Sequence, residues 1–134
     1  MIKDIEIPTV VNVTIAVARK KSIGESDEWL VYLINNNEFA IENTLVASNG
    51  YGEKNGQQQK TSILRHYLQT VPANSAALVE PIDKNVFHLN NEYWVSYYIG
   101  NKIYDKRFVF VPDTICEANL IYVKELEMEA VLHS

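Results

Sequence analysis

Hydrophobic and polar side chains take turns along much of this chain. Val11, Val13, Ile15 and Val17 alternate with Asn12, Thr14, Ala16 and Ala18, a period of two that predicts a strand with one buried face. Residues 29–34 are apolar at both parities, which predicts a central strand covered on two sides. That run stops at Asn35-Asn36-Asn37, residues that tolerate left-handed turn geometry. Ile41, Leu45 and Ala47 then alternate with Glu42, Thr44 and Ser48 and give a third strand.

The next stretch, Asn49-Gly50-Tyr51-Gly52-Glu53-Lys54-Asn55-Gly56, precedes a glutamine run. Asn55-Gly56 accepts positive φ readily and predicts a tight turn, so the chain is expected to return as a hairpin over residues 60–68. Within that return, Ile63, Leu64, Tyr67 and Leu68 fit a strand or one face of a helix, with Thr61 or Ser62 as its cap. Val71-Pro72-Ala73-Asn74-Ser75 reads as a turn, and residues 76–82 as a short strand. Pro81 lacks a ladder donor and confines that strand to an edge or ends it. Val86, Phe87 and Leu89 are expected on the core rim.

The strongest signal comes from residues 92–99 and 102–111, which flank Gly100-Asn101 as a two-residue hairpin loop. Pairing Ile99 with Lys102 sets Tyr97 opposite Tyr104, Ser96 opposite Asp105, Trp94 opposite Arg107 and Tyr93 opposite Phe108. Tyr93, Val95, Tyr97, Phe108 and Phe110 form the predicted core face. Trp94, Ser96, Tyr98, Asp105 and Arg107 form a more polar face. Beyond Pro112 the pattern fades and residues 113–134 read as a tail, in which residues 120–132 fit a short strand, an amphipathic helix or partly frayed chain. About seven short strands joined by turns predict an all-β fold, an antiparallel immunoglobulin-like β-sandwich, with the chain as one domain.

Composition changes this picture little but narrows the function. A chain of 134 residues buries roughly two-thirds of its unfolded surface. Its 47% hydrophobic and 22% charged residues are globular proportions and argue against wholesale disorder. A net charge of −5 disfavours nucleic-acid binding, which needs a basic surface. The apolar stretch from Val10 to Ala18 is broken by Asn12 and Thr14, a poor signal-peptide core. No run approaches a bilayer span of ~20 apolar residues. The lone Cys116 fits a reducing compartment, and a cytoplasmic location is expected.

Several phrases resemble a small family of uncharacterised bacterial proteins of similar length. They include Ile41-Glu42-Asn43, Gly50-Tyr51-Gly52-Glu53, Lys60-Thr61-Ser62 and Leu64-Arg65-His66. Asn91-Glu92-Tyr93-Trp94-Val95-Ser96, Tyr104-Asp105-Lys106 and Phe108-Val109-Phe110-Val111-Pro112 extend the resemblance, which covers roughly residues 29–112. Some members carry the label of a phenylalanyl-tRNA synthetase subunit. The chain has neither the length nor the arginine-bearing strands of a synthetase catalytic domain, so the resemblance implies no substrate and no catalytic residue. In pattern alone the chain is also similar to the ApaG type of immunoglobulin-like domain.

Candidate chemistry is sparse. His66, His88 and His133 lie far apart without ligand-spaced partners, so no metal is expected. Cys116 has no sequence-local base. Gly50-Tyr51-Gly52 lacks the following helix that a phosphate loop requires. No catalytic residue, enzyme activity or cofactor is predicted. The expected function is a non-catalytic module for a protein partner or for self-association, through an edge strand, loops or the Trp94 face, with no nucleic-acid or membrane partner. The candidate binding residues are Tyr51, Glu53, Lys60, Arg65 and His66 on one hairpin, and Trp94, Tyr98, Tyr104 and Arg107 on the last. Two other readings stand beside it: a carbohydrate-type ligand stacked on the aromatic rings, and an enzyme whose site assembles from distant residues.

Overall fold

The loop at Gly100-Asn101 joins two strands in the expected register, with Ile99 opposite Lys102, Tyr97 opposite Tyr104 and Trp94 opposite Arg107. Gly100 has φ +60, the left-handed value that a type II′ turn demands of its first central residue. These strands belong to a computed structural model that describes residues 8–24 and 26–134.

Ten strands are found among the described residues: β1 Val13–Lys20, β2 Glu28–Asn35, β3 Ile41–Lys54, β4 Gln57–Lys60, β5 Leu64–Val71, β6 Ser75–Pro81, β7 Asn90–Ile99, β8 Lys102–Phe110, β9 Ile121–Val123 and β10 Met128–His133. They form two packed antiparallel sheets. Sheet A runs β6-β2-β1-β10-β9, and sheet B runs β4-β3-β7-β8 with β5 also on β3. The all-β sandwich expected from the alternation is therefore present, with ten strands instead of about seven. One extra strand arises because the return along β3 is split into β4 and β5. The other two, β9 and β10, come from the region where the alternation fades. β10 is internal to sheet A, pairing with β1 from Ile15 opposite His133 to Arg19 opposite Glu129.

The segment 60–68 is extended, not helical, with His66 opposite Val46 and Tyr67 opposite Leu45. Its neighbour β3 departs from simple alternation. Register shifts occur between Ile41 and Leu45 on both sides of the strand, and Asn43 adopts φ 49. Such a bulge inserts unpaired backbone and exchanges the faces of the residues beyond it. Thr44, Val46 and Ser48 are consequently buried, whereas Leu45 and Ala47 turn to the outer side. The Asn35-Asn36-Asn37 tract also acts differently from expectation. Left-handed φ falls on Asn12, Asn43, Asn55 and Asn74, while Asn35 and Asn37 serve through their side chains.

The core between the sheets is built from alternate residues of both. Ile15, Val17, Val31 and Leu33 of sheet A meet Val46, Tyr93, Val95, Tyr97 and Phe108 of sheet B. Phe87 reaches the rim as expected, its ring edge-on to Trp29 with centroids 5.1 Å apart. A second apolar layer lies on the other side of sheet A, where Ala16, Ala18, Ile34, Val123 and Ala130 are covered by Tyr32, Leu126 and Met128. This double coverage explains why β2 is apolar at both parities.

Asn35, fully buried, holds the corner where β5 turns into β6. Its amide nitrogen lies within 3.0–3.2 Å of the carbonyls of Phe39, Val71 and Pro72. Its Oδ1 accepts from the backbone and side-chain amides of Asn37 at 3.0 and 2.9 Å. Asn35→Leu preserves volume but leaves those buried groups without partners, each costing about 1–3 kcal/mol. Urea denaturation should record a loss of about 3 kcal/mol in unfolding free energy, far above a typical surface substitution.

Candidate functional site

Because residues opposite one another in a ladder share a face, the registers place the side chains of sheet B on its outer surface row by row. Arg65 of β5, Ala47 of β3, Trp94 of β7 and Arg107 of β8 stand in one row. Tyr67, Leu45, Ser96 and Asp105 form the next, followed by Tyr98 beside Ile103. Trp94 is 44% exposed and Tyr98 37%, with Tyr67 and Ile103 more open still. Arg107 Nε lies 3.4 Å from Glu92 Oε1, and Tyr67 donates its hydroxyl to Asn43 Oδ1 at 2.8 Å. The surface thus combines large rings with arginines, and one arginine is oriented by a neighbouring carboxylate.

The other candidate residues divide between this face and the interior. Tyr51 pairs with Lys60, and Glu53 lies one step further out opposite Gln58. Together with Gly52, Gln58 and Gln59 these residues line a shallow hollow of about 200 Å³ at the β3-β4 hairpin. Two candidates lie elsewhere than the outer face. Tyr104 turns inward and stacks on Tyr97, with ring centroids 5.4 Å apart and planes inclined by 4°, because its ladder partner is a core residue. His66 likewise shares the inner side with Val46.

His66 there joins a cluster that sequence spacing does not reveal. Glu80 of β6 receives Ser48 Oγ at 2.7 Å and contacts His66 Nε2 at 2.6 Å through Oε1, while Tyr93 donates its hydroxyl to Oε2 at 3.2 Å. The three partners belong to β3, β5 and β7 of sheet B, and the carboxylate to sheet A. Glu80 is therefore a polar clasp between the sheets. Its side chain is only 10% exposed, so its charge rests on these donors instead of bulk water. The carboxylate, not the imidazole, occupies the centre, and Ser48 donates to Glu80. This is not the order in which a histidine base activates a serine. A hollow of about 370 Å³ opens beside it, lined by Ser48, Thr61, Ser62, Glu80, Asn91 and Tyr93 among others.

The one signal in the sequence is a glutamate inside the apolar strand Ala76-Ala77-Leu78-Val79-Glu80. A second cluster without a sequence signature fastens the final strands: Arg19 of β1 donates to Glu117 and, at 3.0 Å, to Glu129 of β10. Among the described residues no three His, Cys, Asp or Glu side chains converge as a metal site.

Burial first, and then the charge of Glu80, hold the Tyr93 hydroxyl far above the ordinary tyrosine value. Burial, with Tyr104 adding to it, pushes Tyr97 up to about 12. Comparison of the chain with models of protein families, with curated proteins and with solved structures finds no match.

Glu80→Ala strands the Tyr93 and Ser48 hydroxyls and should lower unfolding free energy by about 2–3 kcal/mol in urea titrations. At alkaline pH, Tyr97 is protonated in folded and unfolded chains alike below its reference value of 10.0, but between there and about 12 only the unfolded chain ionises. Stability should therefore fall across that interval, because the folded state binds the extra proton. Tyr97→Phe should flatten the fall, as read from thermal midpoints on a pH series.

Proposed function

We propose that the chain is a non-catalytic interaction module that holds a protein partner against the outer face of sheet B. The observation that carries this reading is Trp94, 44% exposed on a regular sheet and in one row with Arg65 and Arg107. Tryptophan, tyrosine and arginine are the residues that most often dominate protein interfaces. A soluble monomer has little reason to leave several large rings together in water. Neither hollow described above is lined by Trp94, Arg65 or Arg107, so their row favours a broad partner surface over a small enclosed ligand. Arg65 and Arg107 suit a partner that offers carboxylates around an apolar centre.

We also read the sandwich as immunoglobulin-like. In support, β6-β2-β1 follow the order E-B-A of one immunoglobulin sheet and β5-β3-β7-β8 the order C′-C-F-G of the other, with β10-β9 added beside β1. Among the described residues no helix is long and apolar enough to cross a membrane. We assign the module to the cytoplasm on the strength of its lone cysteine.

The test compares baits. Wild-type chain and Trp94→Ala are cross-linked in extract, and bound species are quantified against Lys54→Ala, a change at the β3-β4 tip. A specific partner should be retained by the tip variant and lose at least tenfold in recovery with Trp94→Ala, with the thermal midpoint of the bait unchanged. Equal recovery by both variants overturns the reading. So does Trp94-dependent binding to a glycan array, which would assign the face to sugars.

A further inference from the structure

Among the described residues the four sheet edges are unequal. Sheet A ends on β6, whose pairing with β2 shifts register between Val31 and Tyr32 and closes at Pro81, and on β9, three residues long. One edge of sheet B is divided into β4 and β5. The remaining edge is β8, nine residues long and paired with β7 without interruption from Phe110 to Lys102. Short, bulged or broken edges resist pairing with another chain, whereas a long regular edge presents a template for it.

In a two-residue hairpin the residues flanking the loop form a hydrogen-bonded pair, and bonded and non-bonded pairs then alternate. Lys102, Tyr104, Lys106, Phe108 and Phe110 accordingly turn their backbone groups toward β7. Ile103, Asp105, Arg107 and Val109 turn theirs away, and their side chains point to the outer face. From either end, these four positions run apolar, charged, charged, apolar, with the two charges opposite in sign. The row is self-complementary.

We propose that two copies of the chain pair antiparallel through β8 about a twofold axis at Lys106, joining their B sheets into one. Ile103 then lies opposite Val109 of the second copy, and Asp105 opposite Arg107 of the second copy, each contact made twice. Sliding by two residues, the nearest shift that keeps the hydrogen bonds, sets Asp105 against its own copy or Arg107 against its own copy. Like charges directly opposite are destabilising, so the outer-face charges favour the register centred on Lys106. Arg107 has guanidinium nitrogens to spare beyond the Nε that faces Glu92. Lys106 meets its own copy on the inner side, where its ammonium lies over the Phe108 ring at 4.9 Å from the centroid and is drawn along the strand. The pairing uses the edge of sheet B and takes up Arg107 from the outer face, while Trp94 and Arg65, further from that edge, stay open.

Sedimentation equilibrium of the purified full chain over a concentration series tests this, without any partner, so that its failure leaves the reading of the Trp94 face standing. The wild type is expected as a dimer at micromolar concentration. Asp105→Arg and Arg107→Asp should each weaken dimerisation at least tenfold, and the double exchange should restore it, because the two signs again oppose one another. In parallel, amide exchange on the wild type should show Ile103, Asp105, Arg107 and Val109 slowing as concentration rises, with circular dichroism confirming that each variant is folded. A wild type that stays monomeric throughout, or single reversals that leave the dimer unchanged, overturns the proposal. Concentration-independent exchange at those four amides overturns it even if a variant fails to fold.

Discussion

Burial of Tyr93, Val95 and Tyr97 between the two sheets obliges Trp94, Ser96 and Tyr98 to face the other way. Successive side chains of a strand cannot share a side, and slipping β7 by one residue would place Trp94 in the core and Tyr93 in water. The inner set is supported from two directions, by Phe108 on the neighbouring strand and by Val31 and Leu33 across the sandwich. The packing of the inner set therefore fixes which side chains the strand presents on the outer face. A surface positioned this way meets a partner with little ordering left to do, which is what makes preorganised interfaces effective.

The two long sides of the sandwich are closed by different means. Where β5 and β6 meet, Glu80 binds donors from three strands of the opposite sheet. At the other side the closure is aromatic: the His133 ring of β10 sits edge-on to Phe108 and Phe110 at centroid distances of 5.4 and 5.7 Å. The polar closure is directional and fixes which residues must face each other.

The parts of this fold that local chemistry dictates are legible in the sequence. Gly100-Asn101 specifies a turn, the turn specifies one pairing, and the pairing places Trp94 beside Arg107. β3 is not legible in the same way, because its bulge depends on Asn43 taking a left-handed φ, and asparagines at other positions offer the same option. The exchange of faces that puts Leu45 outside arises from that one residue. His66 carries no mark of its inward orientation, since Thr61, Ser62 and Ile63 interrupt the edge and reset the strand. The Glu80 clasp gathers positions 48, 66, 80 and 93, which no spacing rule connects. β10 escapes notice because Ala130 and Val131 are adjacent and both buried, one on each side of sheet A. Strands covered on both faces lose the alternation that reveals them.

The position of β10 has a consequence for how the molecule comes into being. β1 is made early, yet one of its two neighbours consists of residues 128–133, with Ile15 waiting for His133. While the chain is being synthesised, β2 can pair with β1 at once, but the opposite margin of β1 stays bare until those residues have left the ribosome. Sheet A is thus completed only after the strands of sheet B have been made, and until β10 emerges the nascent chain exposes the free margin of β1. Contacts between such distant positions also form slowly, so the interval during which a chaperone has something to protect is built into the strand order.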